Sequence, residues 1–130
     1  MKRNIFVVAL EEQQREELET LRHSEKFKVH GLLSVKTAVE SPSFSFENLL
    51  NEARSKLQAF DGTVDAIIAQ WDFPTSLVVP ILCKEYDIPS PSVESVLKCE
   101  HKYWSRLEQK KVIPEVVPEF CGVDPFADDP

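Results

Sequence analysis

Asn4 to Leu10, NIFVVAL, is the stretch that most limits what this chain can become. It holds no charge and does not alternate between apolar and polar side chains, so a strand made from it must be covered on both faces. Helices packed on either side of a parallel sheet provide that cover, which puts the run at the centre of the sheet. VDAIIA, from Val64 to Ala69, reads as a second buried strand and follows a stretch with helical spacing. Strands alternating with helices imply right-handed crossovers, and the expected fold is α/β, a small open and mostly parallel sheet flanked by helices. At 130 residues, 42% hydrophobic and 28% charged, the chain suits one compact globular domain, with roughly two thirds of its unfolded surface buried.

Glu11 to His23 is rich in helix formers but has a thin apolar stripe, mainly Leu18 and Leu21, which predicts a largely solvated helix. Phe27 to Leu33 alternates like a half-buried strand near an edge. Ser45 is placed as an N-cap, with Phe44 and Leu49 spaced as a hydrophobic staple. The helix it opens carries Phe46, Leu49, Leu50, Ala53 and Leu57 on one face and stops by Gly62, where a positive φ is expected. Pro74 suits the first turn of a helix running to about Tyr86, kinked at Pro80. Ile88 to Ser90 reads as extended, Ser92 caps a helix with Val93, Val96 and Leu97, and Lys102 to Lys111 forms another. After Ile113 prolines fall among Val116, Val117, Phe120 and Val123, which predicts a strand and an acidic tail.

Several functions are excluded by composition. The three glycines, Gly31, Gly62 and Gly122, are too scattered for a dinucleotide fingerprint or a P-loop, both of which need clustered glycines around phosphate. A net charge of −7 argues against coating nucleic acid or an anionic membrane. Cys83, Cys99 and Cys121 have neither zinc spacing nor an even count for disulfides, so reduced thiols in a cytoplasmic protein are expected. The apolar run near the start is too short for a signal segment or a membrane span. His23, His30 and His101 show no metal spacing, and no Cys or Ser is marked by a general base held by a third group.

Ligands of open α/β sheets bind beyond the carboxyl ends of strands. That rule selects Glu11 after the first strand, and Trp71 and Asp72 after the third, as substrate-side candidates. Each has a structural alternative: Asp72 as a helix cap, Trp71 as a lid on the core, Glu11 as a first-turn acid favoured by the helix dipole. The charge pattern adds another candidate. Residues 98–111 hold Lys98, Lys102, Arg106, Lys110 and Lys111 against Glu100 and Glu108, a local +3 in an acidic chain and a candidate anion contact.

The stretch from Asp65 to Pro125, with its WDFP, HKYW and VIP segments in that order, resembles the front end of ATP-grasp ligases similar to biotin carboxylases and carboxylate-amine ligases. The resemblance covers about half the chain. It implies a Rossmann-like pre-ATP-grasp domain over residues 1–100, with residues 101–130 as the opening helix and strand of a truncated ATP-grasp domain. Lys102 is the position it marks for contact with ATP, and His101 stands where the family often has an acidic or small residue. ATP and magnesium would serve the full-length enzyme, which activates a small carboxylate as an acyl phosphate for attack by an amine or other nucleophile. The resemblance implies that the glycine-rich loop and the metal ligands lie in an ATP-grasp lobe missing here, so this chain alone is expected to be inactive. The resemblance implies that Pro114 to Pro130, cut from its native sheet, is disordered, swapped or docked on another copy in a homodimer, and the apolar Val116, Val117, Phe120 and Phe126 make such a tail prone to associate. The alternative is a self-sufficient flavodoxin-like module that binds a small ligand or a protein and has no catalysis.

Overall fold

The structure, a computed structural model, describes residues 2–43, 45–124 and 126–127. Three strands, β1 (Arg3–Val8), β2 (Phe27–Gly31) and β3 (Ala66–Ala69), form a parallel sheet in the order β2-β1-β3. The uncharged run beginning at Asn4 therefore takes the central place, with Ile5 in register with Val29 on one side and Ala66 on the other. Helices α1 (Glu12–Thr20), α2 (Val35–Ala38) and α3 (Phe46–Gln58) lie in the crossovers, and α4 (Thr75–Glu85) follows β3. The observed α/β architecture is thus a small open three-stranded parallel sheet with flanking helices.

The core sits on one face of the sheet. Phe6, Val8 and Ile67 point into a cluster with Leu49, Leu50, Ala53 and Leu57 of α3 and Val78, Leu82 and Cys83 of α4. The helical spacing of the α3 residues makes this possible, and Ser45 caps that helix, its Oγ accepting from Asn48 N at 3.3 Å. The expected staple partner, Phe44, lies outside the described residues. Arg54 of α3 reaches Glu85 of α4, with Nη2 2.6 Å and Nε 3.1 Å from its carboxylate oxygens, tying the two helices together on the solvent side. The α4 helix runs through Pro80, which is buried. On the opposite face α1 is solvated as its thin stripe implied, with none of its residues buried.

Two local expectations are corrected. Gly62 does not take a positive φ; among the described residues Ala9, His23 and Asp87 do. What position 62 needs is space, because a Cβ there would stand 2.7 Å from the Phe60 ring. Among the described residues no strand follows Ile113: Pro114–Val116 is a single 3-10 turn and the chain to Val123 is irregular. Pro114 and Pro118 remove two backbone donors from a short segment, which leaves a ladder little to pair with.

The chain divides into two compact units, Met1–Val93 and Glu94–Pro130. The second contains most of α5 (Val93–Glu100), all of α6 (Lys102–Lys110) and the 3-10 turn. Among the described residues no helix is long and apolar enough to cross a membrane.

Candidate functional site

In the first unit the carboxyl ends of the strands are turned by unlike devices. After β1 the chain turns at Ala9, a fully buried residue with φ of 57°. That left-handed conformation strains a side-chain-bearing residue. Its carbonyl accepts the indole N–H of Trp71 at 3.1 Å, so the loop after β3 holds the end of β1 in place. Trp71 also packs against the core. Its polar atom is thereby committed, and what it offers a ligand is the exposed part of its ring.

Asp72 lies beside it and is exposed. Its backbone carbonyl, not its carboxylate, receives the first donors of α4: Thr75 N at 3.0 Å, Ser76 N at 3.3 Å and Thr75 Oγ1 at 2.9 Å. The carboxylate makes no hydrogen bond or ion pair among the described residues and is left facing solvent. The Phe73–Pro74 peptide is cis, and Phe73 stacks on Phe46 with centroids 6.4 Å apart. Glu11 is half-buried and N-caps α1, closing a capping box with Gln14, whose Oε1 accepts from Glu11 N at 3.0 Å. Of the three substrate-side candidates the loops gather at this edge, Asp72 alone keeps an unengaged polar group. Nothing in the sequence pointed to Ala9 as the acceptor that fixes Trp71.

The second unit carries the basic segment, and most of its charge is used internally. Lys98 lies 2.8 Å from Glu94 and 3.7 Å from Glu108, with its ammonium 5.9 Å from the Trp104 ring centre. Hydrogen bonding to Glu94 raises its pKa, while hydrogen bonding to Lys111 lowers that of Glu108. Lys111 pairs with Glu108 at 2.8 Å, Arg106 donates to Gln109 Oε1 at 2.9 Å, and Lys110 stands 5.6 Å over Phe120. Lys102 alone of the five cations has no partner among the described residues.

His101 explains where Lys102 stands. Its Nδ1 accepts from Trp104 N at 3.3 Å, so the imidazole does the capping work of an acidic or hydroxyl residue and sets Lys102 as the first residue of α6. Helical spacing then brings Arg106 one turn below Lys102. Both line a cleft of about 540 Å³ with Tyr103, Phe120, Cys99 and Cys121. Phe120 closes it by packing edge-on against Tyr103, with centroids 5.5 Å apart. The segment after Pro114 thus folds back over α6, while Val112, Val116, Val123 and Phe126 stay exposed. Arg106 was legible as a member of the basic segment; the place of Phe120 in this cleft was not.

Two cations on one helix face beside two aromatic rings can meet an anion attached to a flat ring system. Among the described residues no group of three or more His, Cys, Asp or Glu side chains converges. Comparison with protein-family models, with curated proteins and with solved structures found no match to this chain.

Proposed function

We infer that this chain is the Rossmann-like front region of an ATP-grasp ligase, an enzyme that activates a small carboxylate with ATP for attack by an amine or other nucleophile. The observation that carries the reading is Lys102, the cation of the basic segment that has no partner among the described residues, set by the His101 cap at the start of α6. Lys102 and Arg106 hold the phosphate side of the nucleotide, and Tyr103 and Phe120 offer ring surface to its base. Asp72, at the carboxyl edge of the sheet, accepts a hydrogen bond from an N–H or O–H of the carboxylate substrate, and Trp71 keeps that edge rigid. ATP supplies the phosphoryl group; the glycine-rich loop and metal ligands of such ligases have no counterpart in these residues, so the chain by itself binds nucleotide weakly and catalyses nothing.

Titration of the chain with Mg-ATP, followed by calorimetry and by amide NMR, tests this. Millimolar affinity, about −4 kcal/mol, is expected. Shifts should centre on Lys102 to Arg106 and vanish in Lys102→Met. Micromolar affinity, or millimolar ATP that leaves those amides unmoved, overturns the reading.

A second reading, a self-sufficient flavodoxin-like module for a small ligand or protein partner, draws on the packing of Phe120 against Tyr103 within its own unit. It predicts a strict monomer by light scattering with protected amides through 114–122. The ligase reading predicts association through the exposed Val112, Val116, Val123 and Phe126.

A further inference from the structure

The face of the sheet turned away from α3 and α4 is only half covered. Strand alternation puts Ile5 and Val7 of β1, Val29 of β2 and Ile68 of β3 on that face, and register sets Val7 beside Ile68. Val7 is completely buried, but Ile68 is 38% exposed. The gap is a groove of about 620 Å³ floored by Ile5, Val29 and Ile68 and walled by Leu18 and Leu21 at the end of α1. Its lining includes Lys2 and Phe27 at the amino ends of β1 and β2, the opposite ends of the strands from the edge that carries Asp72.

Its rim is basic. Lys2 and Arg22 make no hydrogen bond or ion pair among the described residues. Arg15 donates one Nη1–H to the Val29 carbonyl at 3.3 Å and lies 3.7 Å from Glu12. Glu19 and Glu25 offset only part of this charge, so the groove is cationic in a chain of net charge −7. We propose that it binds a small amphipathic anion, a monocarboxylate whose apolar body lies on Ile5, Val29 and Ile68 and whose carboxylate meets Arg22 and Lys2. The volume falls in the range of about 300–1,000 Å³ of small-molecule sites. The unpaired cations select an anion. The site is independent of the ligase reading and stands or falls without it.

The test is displacement of anilinonaphthalene sulfonate from the chain by decanoate, with decyltrimethylammonium as the cationic control. Decanoate should displace the dye saturably, and the cation about tenfold more weakly, a difference of about 1.4 kcal/mol. Arg22→Glu and Ile68→Glu should each weaken decanoate about tenfold while far-UV circular dichroism stays that of the wild type. If Ile68→Glu does not fold, Ile68→Ser takes its place with a loss of about threefold. Equal displacement by the two surfactants, unchanged affinity in Arg22→Glu, or amide shifts lying outside β1, β2, β3 and α1 overturns the proposal. So does an acidic amphipathic peptide that binds the same amides more tightly than decanoate.

Discussion

Replacing Trp71 by Phe removes the indole N–H that reaches the Ala9 carbonyl at 3.1 Å. Because Ala9 is fully buried, its carbonyl is left without a donor, and orphaning a buried acceptor costs about 1–3 kcal/mol. The smaller ring also gives up apolar area, about 20 Å² at ~25 cal/mol/Å², or ~0.5 kcal/mol. Trp71 is only half-buried, so water can reach part of the vacated space and the first figure belongs near its lower end. The expected loss is about 1.5 kcal/mol, which in a unit of this size lowers the melting midpoint by roughly 6–12 °C. Urea unfolding followed by far-UV circular dichroism measures it without relying on tryptophan fluorescence. Benzothienylalanine at position 71 keeps the ring shape and removes only the N–H, so it should retain most of the loss. A decrease under about 0.5 kcal/mol in both variants would refute the argument that this hydrogen bond holds the carboxyl end of β1.

His30 stacks on Phe6 at 4.9 Å and meets the edge of Phe60, and burial, then Lys28 and Arg15, lower its pKa. A base whose folded pKa is depressed favours folding above its unfolded value, so stability should fall as pH drops through about 6.5, and His30→Phe should flatten that slope in pH-dependent melting. Arg54 lowers the pKa of Glu85, chiefly by hydrogen bonding; that contribution is present above the ordinary glutamate range and is lost in acid, and Glu85→Gln should reduce the acid-side slope of the same curves. Cys99 and Cys121 are exposed, whereas Cys83 is buried with its thiol against the Ile67 carbonyl and its pKa raised by burial. Ellman's reagent should therefore titrate two thiols quickly in the native chain and the third only on unfolding; three fast thiols would contradict the packing of α4 on β3. Phe120→Ala removes the ring that closes against Tyr103 and should open 114–122 to limited proteolysis while leaving residues 1–93 as resistant as before.

The layered α/β fold was legible because its evidence is collective. The uncharged stretch at Asn4, the α3 face from Phe46 to Leu57 and the Ser45 cap each satisfy a pattern that only one kind of element can use. Single-residue geometry was less legible. Glycine is the usual sign of a left-handed turn, yet here Ala9, His23 and Asp87 turn that way and Gly62 does not: at buried Ala9 the surrounding fold outweighs intrinsic preference, while exposed His23 and Asp87 are residue types that tolerate this conformation. The one-turn helix α2 had only Ser34 to announce it, a cap whose Oγ accepts from Thr37 N at 3.0 Å. At the candidate sites, position along the chain located Trp71, Asp72 and Glu11 at strand ends. It could not say which polar groups the fold would engage, since the Ala9 acceptor and the Gln14 partner appear only once the loops are in place.

The strand order has a consequence for how the molecule comes to exist. Of the three strands of this sheet, β1 is synthesised first and has its surroundings finished last, because its neighbours arrive with Phe27 and then Ala66. Until β3 and α4 follow, Phe6, Val7 and Val8 belong to a nascent chain with one edge unpaired and one face covered only in part, by α3. Non-local parallel pairing of this kind forms slowly. Synthesis halted near residue 60 should yield a species that chaperones hold; halted past residue 93, it should yield one they release.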